Sequence, residues 1–572
     1  MPQPPKEQWT SRLGVIMAVA GSAIGLGNFL RFPGQAAQYG GAFLIAYFIS
    51  LLLLGLPIGW AEWTMARMGG LKGYNGAPGI MQALGKRRWW LGVGVLGVIV
   101  PVVIYMYYVY IEAWCLGYSI NFFRGAMGFS TVEESGAYWQ NFIGMSGDGE
   151  AFKLGTHAVG FILVFVFFLN FSLVYRGISR GIEKFCNFAI PTLIVMALII
   201  LVRVITLGTP DSAKPEQNVN NGLGYMWNPT KVVLEIQNAA GTWDREQELL
   251  GASTIASAKA TESATRRVRE ISLLEQLLNP QMWIAAAGQI FFSLSVGFGV
   301  IINYASYLRR RDDVVLSGLA ATSANEFAEV GLGGLITIPA AVAFLGVAGV
   351  AGMGTFGLGF NVLPMVFASM PFGQFFGGVF FLLLFLAAIT SSISMLQPGI
   401  AFLEEALGIG RKVSVAFLGF VTAVGSLFVV YFSKDIKALD TLDFWVGTVL
   451  IYVLATFQIV LFGWVIGIEK GMKAAHEGSS IRIPRVFGFI MKFVSPVFLL
   501  LVFGYWMVRD VIGFQGWGLP FKSSAYITDL GGASGPVPIL ALSLILLTSG
   551  LFLVIAYRSK RYRLQSSYED LP

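Results

Sequence analysis

Residues 21–33 read Gly-Ser-Ala-Ile-Gly-Leu-Gly-Asn-Phe-Leu-Arg-Phe-Pro and lie inside the first long apolar stretch of the chain. A continuous membrane helix avoids such a run. Its three glycines disfavour helix, Ser22 and Asn28 are polar, and Arg31 is charged. An unwound backbone in hydrocarbon leaves amides and carbonyls without partners, at several kcal/mol each. The segment is tolerated where it lines a cavity or holds a ligand. A second such segment, Ser293-Leu-Ser-Val-Gly-Phe-Gly299, interrupts another apolar stretch. The pair points to a carrier built around broken helices; the plain alternative is that both glycine patches only let helices pack closely.

Composition supports a membrane setting. The 572 residues are 55% hydrophobic and 12% charged, about half the charge of soluble domains. Apolar runs long enough to span a bilayer recur near 11–37, 41–69, 90–124, 156–175, 185–208, 281–308, 315–348, 374–406, 412–432, 441–466, 486–509 and 534–557. The expected fold is therefore an all-α integral membrane protein of about twelve transmembrane helices. The first break and the second lie five spans apart. An odd shift inverts the copy, so spans one to five (11–208) and six to ten (281–466) are expected to form an inverted repeat, with spans eleven and twelve (485–557) appended. The N-terminus lacks a basic region and cleavage site, so no signal peptide is expected.

The net charge of +7 follows from basic residues in alternate short loops: Lys86 to Arg88, Arg176 to Lys184, Arg309 to Arg311, Arg411 and Lys412, Lys470 to Arg485, and Arg558 to Arg563. The positive-inside rule places both termini in the cytoplasm and excludes nucleic acid as the reason for the charge. Cys115 and Cys186 fit neither a disulfide framework nor a metal site, and His157 and His476 are too few for histidine chemistry. No enzyme motif has the right context. Two loops are long, 125–155 and 209–280, both expected to be external. In the second, Leu249 to Leu278 is expected to form one or two amphipathic helices as a surface insertion or a lid.

The run Arg12 to Pro33, Gly41-Ala-Phe, Glu62-Trp, Tyr107-Tyr-Val-Tyr-Ile-Glu112, Gln289 to Tyr307, Asn325-Glu-x-x-Glu329, Thr390-Ser-Ser392 and Asp443-Phe-Trp445 resemble the neurotransmitter:sodium symporter family. The likeness covers nearly the whole chain, except that the 209–280 loop is some forty residues longer. It implies sodium-coupled symport of a small molecule by alternating access. A substrate carboxylate would meet the amides of Leu26 and Gly27 at the start of a half-helix, with Gly25 leaving room and Tyr108 adding its hydroxyl. Family members carrying monoamines have aspartate at the Gly25 position, so glycine implies an amino acid. The ammonium would meet carbonyls of Ala23, Phe292 and Ser293 and the Ser295 hydroxyl. The side chain would meet Ile104, Tyr108, Phe292, Phe298, Ser391 and Met395, an uncharged pocket that disfavours charged substrates. Ser22 stands where relatives have asparagine.

The resemblance implies two sodium sites, each of five or six oxygens. The first takes Ala23 and Ser293 carbonyls, the side chains of Asn28, Asn325 and Ser293, and the substrate carboxylate. The second takes carbonyls of Gly21, Ile24 and Ala387 with hydroxyls of Thr390 and Ser391; their plain alternative is bonding back to helix carbonyls. Arg31 and Asp443 are expected to meet across the outer vestibule. Lys6 and Glu405 are expected to meet on the cytoplasmic side, where relatives have arginine and aspartate. Glu329 replaces a serine of chloride-dependent relatives, beside Tyr47, Gln289 and Ser293. Its fixed charge implies chloride independence. The expected function is sodium-coupled uptake of a neutral, mainly hydrophobic amino acid across the inner membrane. A proton-coupled or uncoupled carrier of the same fold, or a non-transporting amino-acid sensor, stands as the alternative. The expected partners are the amino acid, sodium and membrane lipid; a homodimer and the role of the 209–280 loop stay open.

Overall fold

The computed structural model describes residues 9–152, 159–238, 241–514, 525–532 and 535–565. Among these, nine helices are long and apolar enough to cross a membrane: Ala42–Leu71, Trp89–Phe123, Ile178–Ile205, Val314–Val350, Gly373–Leu407, Arg411–Tyr431, Lys434–Ala475, Arg485–Arg509 and Val537–Arg558. They are spans two, three, five and seven to twelve. Span one is a bent pair, Arg12–Ala23 and Gly27–Tyr39, at 45°. Span four is the shorter apolar helix Val159–Tyr175. Span six is split into Pro280–Leu294 and Val300–Tyr304. The molecule is thus a helical membrane protein of about twelve spans, broken at the two places read from glycine and polar residues.

Spans three and eight form the centre, packed on each other and buried over most of their lengths. They carry almost no amphipathic stripe because they are surrounded by protein. Spans four, five, nine, eleven and twelve instead expose large apolar side chains such as Phe165, Phe188, Phe420, Leu501 and Leu547, the surface that a bilayer would cover.

The breaks have separate local causes. Span one ends its first half when Ile24 leaves helical geometry (ψ 90). Span six turns through three left-handed residues, Ser295 (φ 54), Gly297 (φ 69) and Gly299 (φ 87). The glycines adopt this freely, whereas Ser295 is strained there. Close approach also demands Gly299, since a Cβ would run into the Gly97 carbonyl of span three.

The long loop between spans five and six departs from the expected amphipathic helices. Short helices do form at Ala252–Ala260 and Leu273–Leu277. The loop also builds a three-stranded antiparallel sheet in the order β2-β1-β3, from β1 (Lys231–Gln237), β2 (Trp243–Leu249) and β3 (Arg266–Ile271). Its charges include cross-strand partners. Glu235 of β1 holds Arg267 at 2.7 Å and Arg269 at 3.4 Å, the pairing that stabilises sheets. The sheet lies on the face where span one ends; both described chain ends lie on the opposite face.

Gly299→Ala is expected to destabilise the protein by about 2 kcal/mol or more, through positive φ and backbone collision. Gly550→Ala, which meets nothing within 4 Å, should be silent. Thermal unfolding in detergent, followed by monodisperse elution after heating, separates the two.

Candidate functional site

The free backbone at the two breaks faces span three and span eight. The Leu26 amide donates to the Tyr108 hydroxyl at 3.2 Å. The Gly25 amide donates to Asn28 Oδ1 at 2.8 Å. The Ser22 carbonyl accepts from Ser391 and Ser295, each at 3.2 Å, and the two hydroxyls of Ser22 and Ser295 lie 3.0 Å apart. The Gly297 amide donates to the fully buried Glu62 of span two at 3.2 Å. Glu62 was legible as part of a motif, but nothing in the sequence showed that it braces the second break.

A narrow cavity lies between the breaks, lined by Ser22, Ala23, Gly25, Gly27, Tyr108, Phe292, Ser295, Phe298, Ser391 and Met395. No side chain in this lining is charged. Ile104, expected here, is buried one turn before Tyr108 and is not among the lining residues. Gly25 is tightly enclosed: a Cβ there would come 2.7 Å from Ser391 Oγ and 3.1 Å from Tyr108 Oη.

A polar cluster adjoins the cavity. Asn28 Nδ2 donates to Asn325 Oδ1 at 2.8 Å and Glu329 Oε2 at 3.1 Å. Gln289 Nε2 donates to Glu329 Oε1 at 2.8 Å, and Asn325 Nδ2 to Glu329 Oε2 at 3.2 Å. Ser293 Oγ lies 3.4 Å from Asn325 Nδ2. The three side chains expected as first cation ligands, those of Asn28, Asn325 and Ser293, thus gather beside one carboxyl group. Tyr47 donates instead to Glu326 at 2.9 Å, a second carboxylate that sequence reasoning left without a role. The i, i+3 spacing of Glu326 and Glu329 was the available signal, since it sets both near one helix face.

Thr390 and Ser391 donate to helix carbonyls, Thr390 to Ala387 at 3.0 Å and Ser391 to Ala387 at 3.2 Å. The back-bonded arrangement foreseen as the plain alternative is therefore present. The same groups also approach span one, where a Cβ on Gly21 would lie 3.4 Å from Thr390 Cβ and Ile24 is fully buried.

Towards the sheet face a vestibule of about 550 Å³ opens, lined among others by Arg31, Tyr107, Ile111, Thr355 and Asp443. Gly27, Tyr108 and Phe292 line both spaces. The expected direct ion pair across the vestibule is not formed. The Arg31 guanidinium lies over the Phe292 ring at 4.7 Å, and Asp443 accepts the Tyr107 hydroxyl at 2.6 Å. Each charge has a nearer partner, a ring quadrupole or a phenol.

On the opposite face, Lys6 lies outside the described residues. Glu405 accepts the Asn75 amide at 2.6 Å, the Gly76 amide at 3.2 Å and the Tyr562 hydroxyl at 2.7 Å. Tyr562, from the segment after span twelve, is buried, and Gln82 Nε2 donates to its carbonyl at 3.1 Å. Trp9 Nε1 donates to the Tyr304 carbonyl at 3.0 Å.

Two broken spans around a buried, uncharged cavity with a vestibule are the features of a membrane carrier. Comparison with known proteins makes the class specific. The profile of the Sodium:neurotransmitter symporter family matches residues 6–141 and 270–546. The chain belongs to that family and is a sodium-dependent transporter of small molecules. It is 26% identical over 507 residues (87% of this chain, 89% of the relative) to an uncharacterised sodium-dependent transporter of Methanocaldococcus jannaschii. It is 27% identical over 543 residues (88% and 76%) to sodium-dependent nutrient amino acid transporter 1 of Drosophila persimilis. The crystal structure of MhsT in complex with L-phenylalanine shares the fold, with a TM-score of 0.68 at 24% identity, covering 87% of this chain and 99% of that one.

Proposed function

We propose that this protein couples uptake of a neutral, mainly hydrophobic α-amino acid to two sodium ions, without chloride, and that both termini are cytoplasmic. The observation that carries the reading is the enclosed Gly25, with the Leu26 amide and Tyr108 hydroxyl beside it. A carboxylate is the substrate group that uses a half-helix N-terminus and a phenol together, and no lining cation or anion selects a charged side chain. The ammonium takes the carbonyls of Ala23, Phe292 and Ser293 and the Ser295 hydroxyl. Phe298, Met395 and Phe292 hold the apolar side chain. A relative named as a nutrient amino acid transporter, and a neighbour bound to L-phenylalanine, accord with this substrate class.

The first sodium uses Asn28, Asn325, Ser293 and the Ala23 carbonyl, together with a substrate oxygen, so ion and substrate stabilise one another. Their side-chain oxygens now hold intramolecular hydrogen bonds, which the ion replaces as it binds. The second sodium uses Gly21, Ile24, Ala387, Thr390 and Ser391 and ties the first break to span eight. Substrate passes Arg31 and Asp443 on one side and leaves past Glu405 on the other.

A gradient of ten gives about 1.4 kcal/mol per sodium, and 100 mV adds about 2.3 kcal/mol per charge. Two ions therefore allow roughly 10⁵-fold accumulation of a zwitterion. Radiolabelled leucine is expected to overshoot equilibrium in proteoliposomes under an inward sodium gradient; uptake that stops at equilibration overturns the coupling.

Gly25→Asp sets a carboxylate against the substrate carboxylate and collides with Ser391 and Tyr108. It is expected to weaken amino-acid binding at least a hundredfold in scintillation proximity measurements. Binding retained within threefold overturns the pose.

Glu329 supplies the anion that two cations need in a low-dielectric core. Uptake by the parent should be indifferent to replacement of chloride by gluconate. Glu329→Ser should lose at least tenfold in gluconate and recover in chloride. A parent that fails without chloride refutes the assignment.

A further inference from the structure

Residues 142–269 lie outside the family profile, and the sheet, all but the last two residues of β3 within them, grips the end of span one. The outer half of span one finishes at Gly40, which caps it with φ 75 and an amide bonded to the Ala36 carbonyl at 2.8 Å. Three contacts meet this last turn. The Tyr225 hydroxyl, from the helix Val219–Trp227 before the sheet, donates to the Ala37 carbonyl at 2.6 Å. A Cβ on Gly41 would run into the Asn228 carbonyl. Above Gly40 sits the ion pair Lys231 Nζ–Glu248 Oε2, 2.6 Å long, with side-chain exposures of 6% and 8%. A Cβ on Gly40 would stand 3.9 Å from Lys231 Nζ and 3.8 Å from Glu248 Oε1.

Burial of an ion pair on a water-facing loop is not explained by stability, because desolvation offsets most of the attraction. Its position is informative. The Lys231 ammonium stands at the negative end of the helix whose other end presents the Leu26 and Gly27 amides. The β2 strand also packs against the end of span seven. With Gln38, Ala348, Ala351 and Gly352, its residues Arg245 to Glu248 line a cavity of about 650 Å³. The sheet therefore bridges the ends of spans one and seven. Gly352 leads into Thr355 and Phe356 at the vestibule wall.

We infer that Lys231 and Glu248 are positioning residues: their ion pair is a clasp that holds the outer half of span one against span seven with the vestibule open. The clasp sets how readily the carrier presents its carboxylate-binding amides to the outside. Contacts that exist in one arrangement and are strained in another shift the population towards the first. Breaking the clasp therefore favours closure. The inference rests on the proposed function for the orientation that puts the sheet outside and for its uptake measurement.

The test uses the full chain in proteoliposomes with Thr355→Cys as a reporter, since Cys115 and Cys186 are buried. Labelling by a membrane-impermeant methanethiosulfonate is followed in sodium without amino acid. Lys231→Met and Glu248→Gln are each expected to slow labelling at least threefold, and the exchanged pair Lys231→Glu with Glu248→Lys to return it within twofold of the parent. Tyr225→Phe, which removes only the hydroxyl on Ala37, should slow labelling in the same direction. In uptake, the single variants should raise KM with Vmax within twofold. Unchanged labelling in the single variants, or an exchanged pair as slow as they are, overturns the clasp. Should the single variants fail to elute as monodisperse protein, Tyr225→Phe decides, and unchanged labelling there overturns it. The expected labelling pattern with no leucine uptake in any form, parent included, supports the clasp and sinks the transport reading.

Discussion

A backbone amide with no helix partner in the centre of a bilayer must find its hydrogen bond elsewhere, and the arrangement around the two broken spans follows from that demand. The Gly25 and Leu26 amides are met by Asn28 and Tyr108, the Gly297 amide by Glu62, and the Ser22 carbonyl by Ser391 and Ser295. Each partner other than Asn28 belongs to a different span from the group it satisfies. The breaks are thereby tied to spans two, three and eight and to one another. A side chain that satisfies a backbone group in this way is also a side chain that a substrate or ion can borrow. That is why unwound backbone and binding capacity coincide.

The cluster of Asn28, Gln289, Asn325 and Glu329 applies the same logic to charge. A buried carboxylate is tolerable when amide donors surround it, and three side-chain amides do so here. Such a cluster is poised rather than inert. Amide groups that donate to Glu329 also carry oxygens, and those oxygens can turn to a cation while the nitrogens keep the carboxylate. Glu326, held by Tyr47, puts a second carboxyl group at the edge of the cluster.

The breaks themselves were legible because glycine, serine and asparagine are out of place in a span, and local physics carries that signal. The uncharged cavity was legible too, apart from Ile104, which shares a helix face with Tyr108 one turn away and yet is not among the lining residues. Long-range pairing was less legible. Arg31 and Asp443 were expected as partners from the family resemblance, yet a phenylalanine ring stands closer to Arg31 and a tyrosine hydroxyl to Asp443. Of the sheet, only β3 fell well inside the segment read as amphipathic helix, and its pairing with β1 depends on residues 30 to 40 positions apart, which no local pattern shows. Glu62 was visible as a residue but not as a brace, since its partner amide lies 235 positions away.

The two faces of the carrier hold their charges differently. Facing the vestibule, Arg31 has a ring and Asp443 a hydroxyl as its partner. On the other face, Glu405 is enclosed by two backbone amides and a buried phenol from beyond the last span. Opening that side requires more than separating two side chains: the Tyr562 segment must leave its seat, or Glu405 must keep its amides while the phenol withdraws. Charge-assisted hydrogen bonds from backbone amides are rigidly placed and lose little entropy on forming. The carboxylate is therefore expected to stay with Asn75 and Gly76 through the cycle, and the Tyr562 hydroxyl is the contact that can be exchanged.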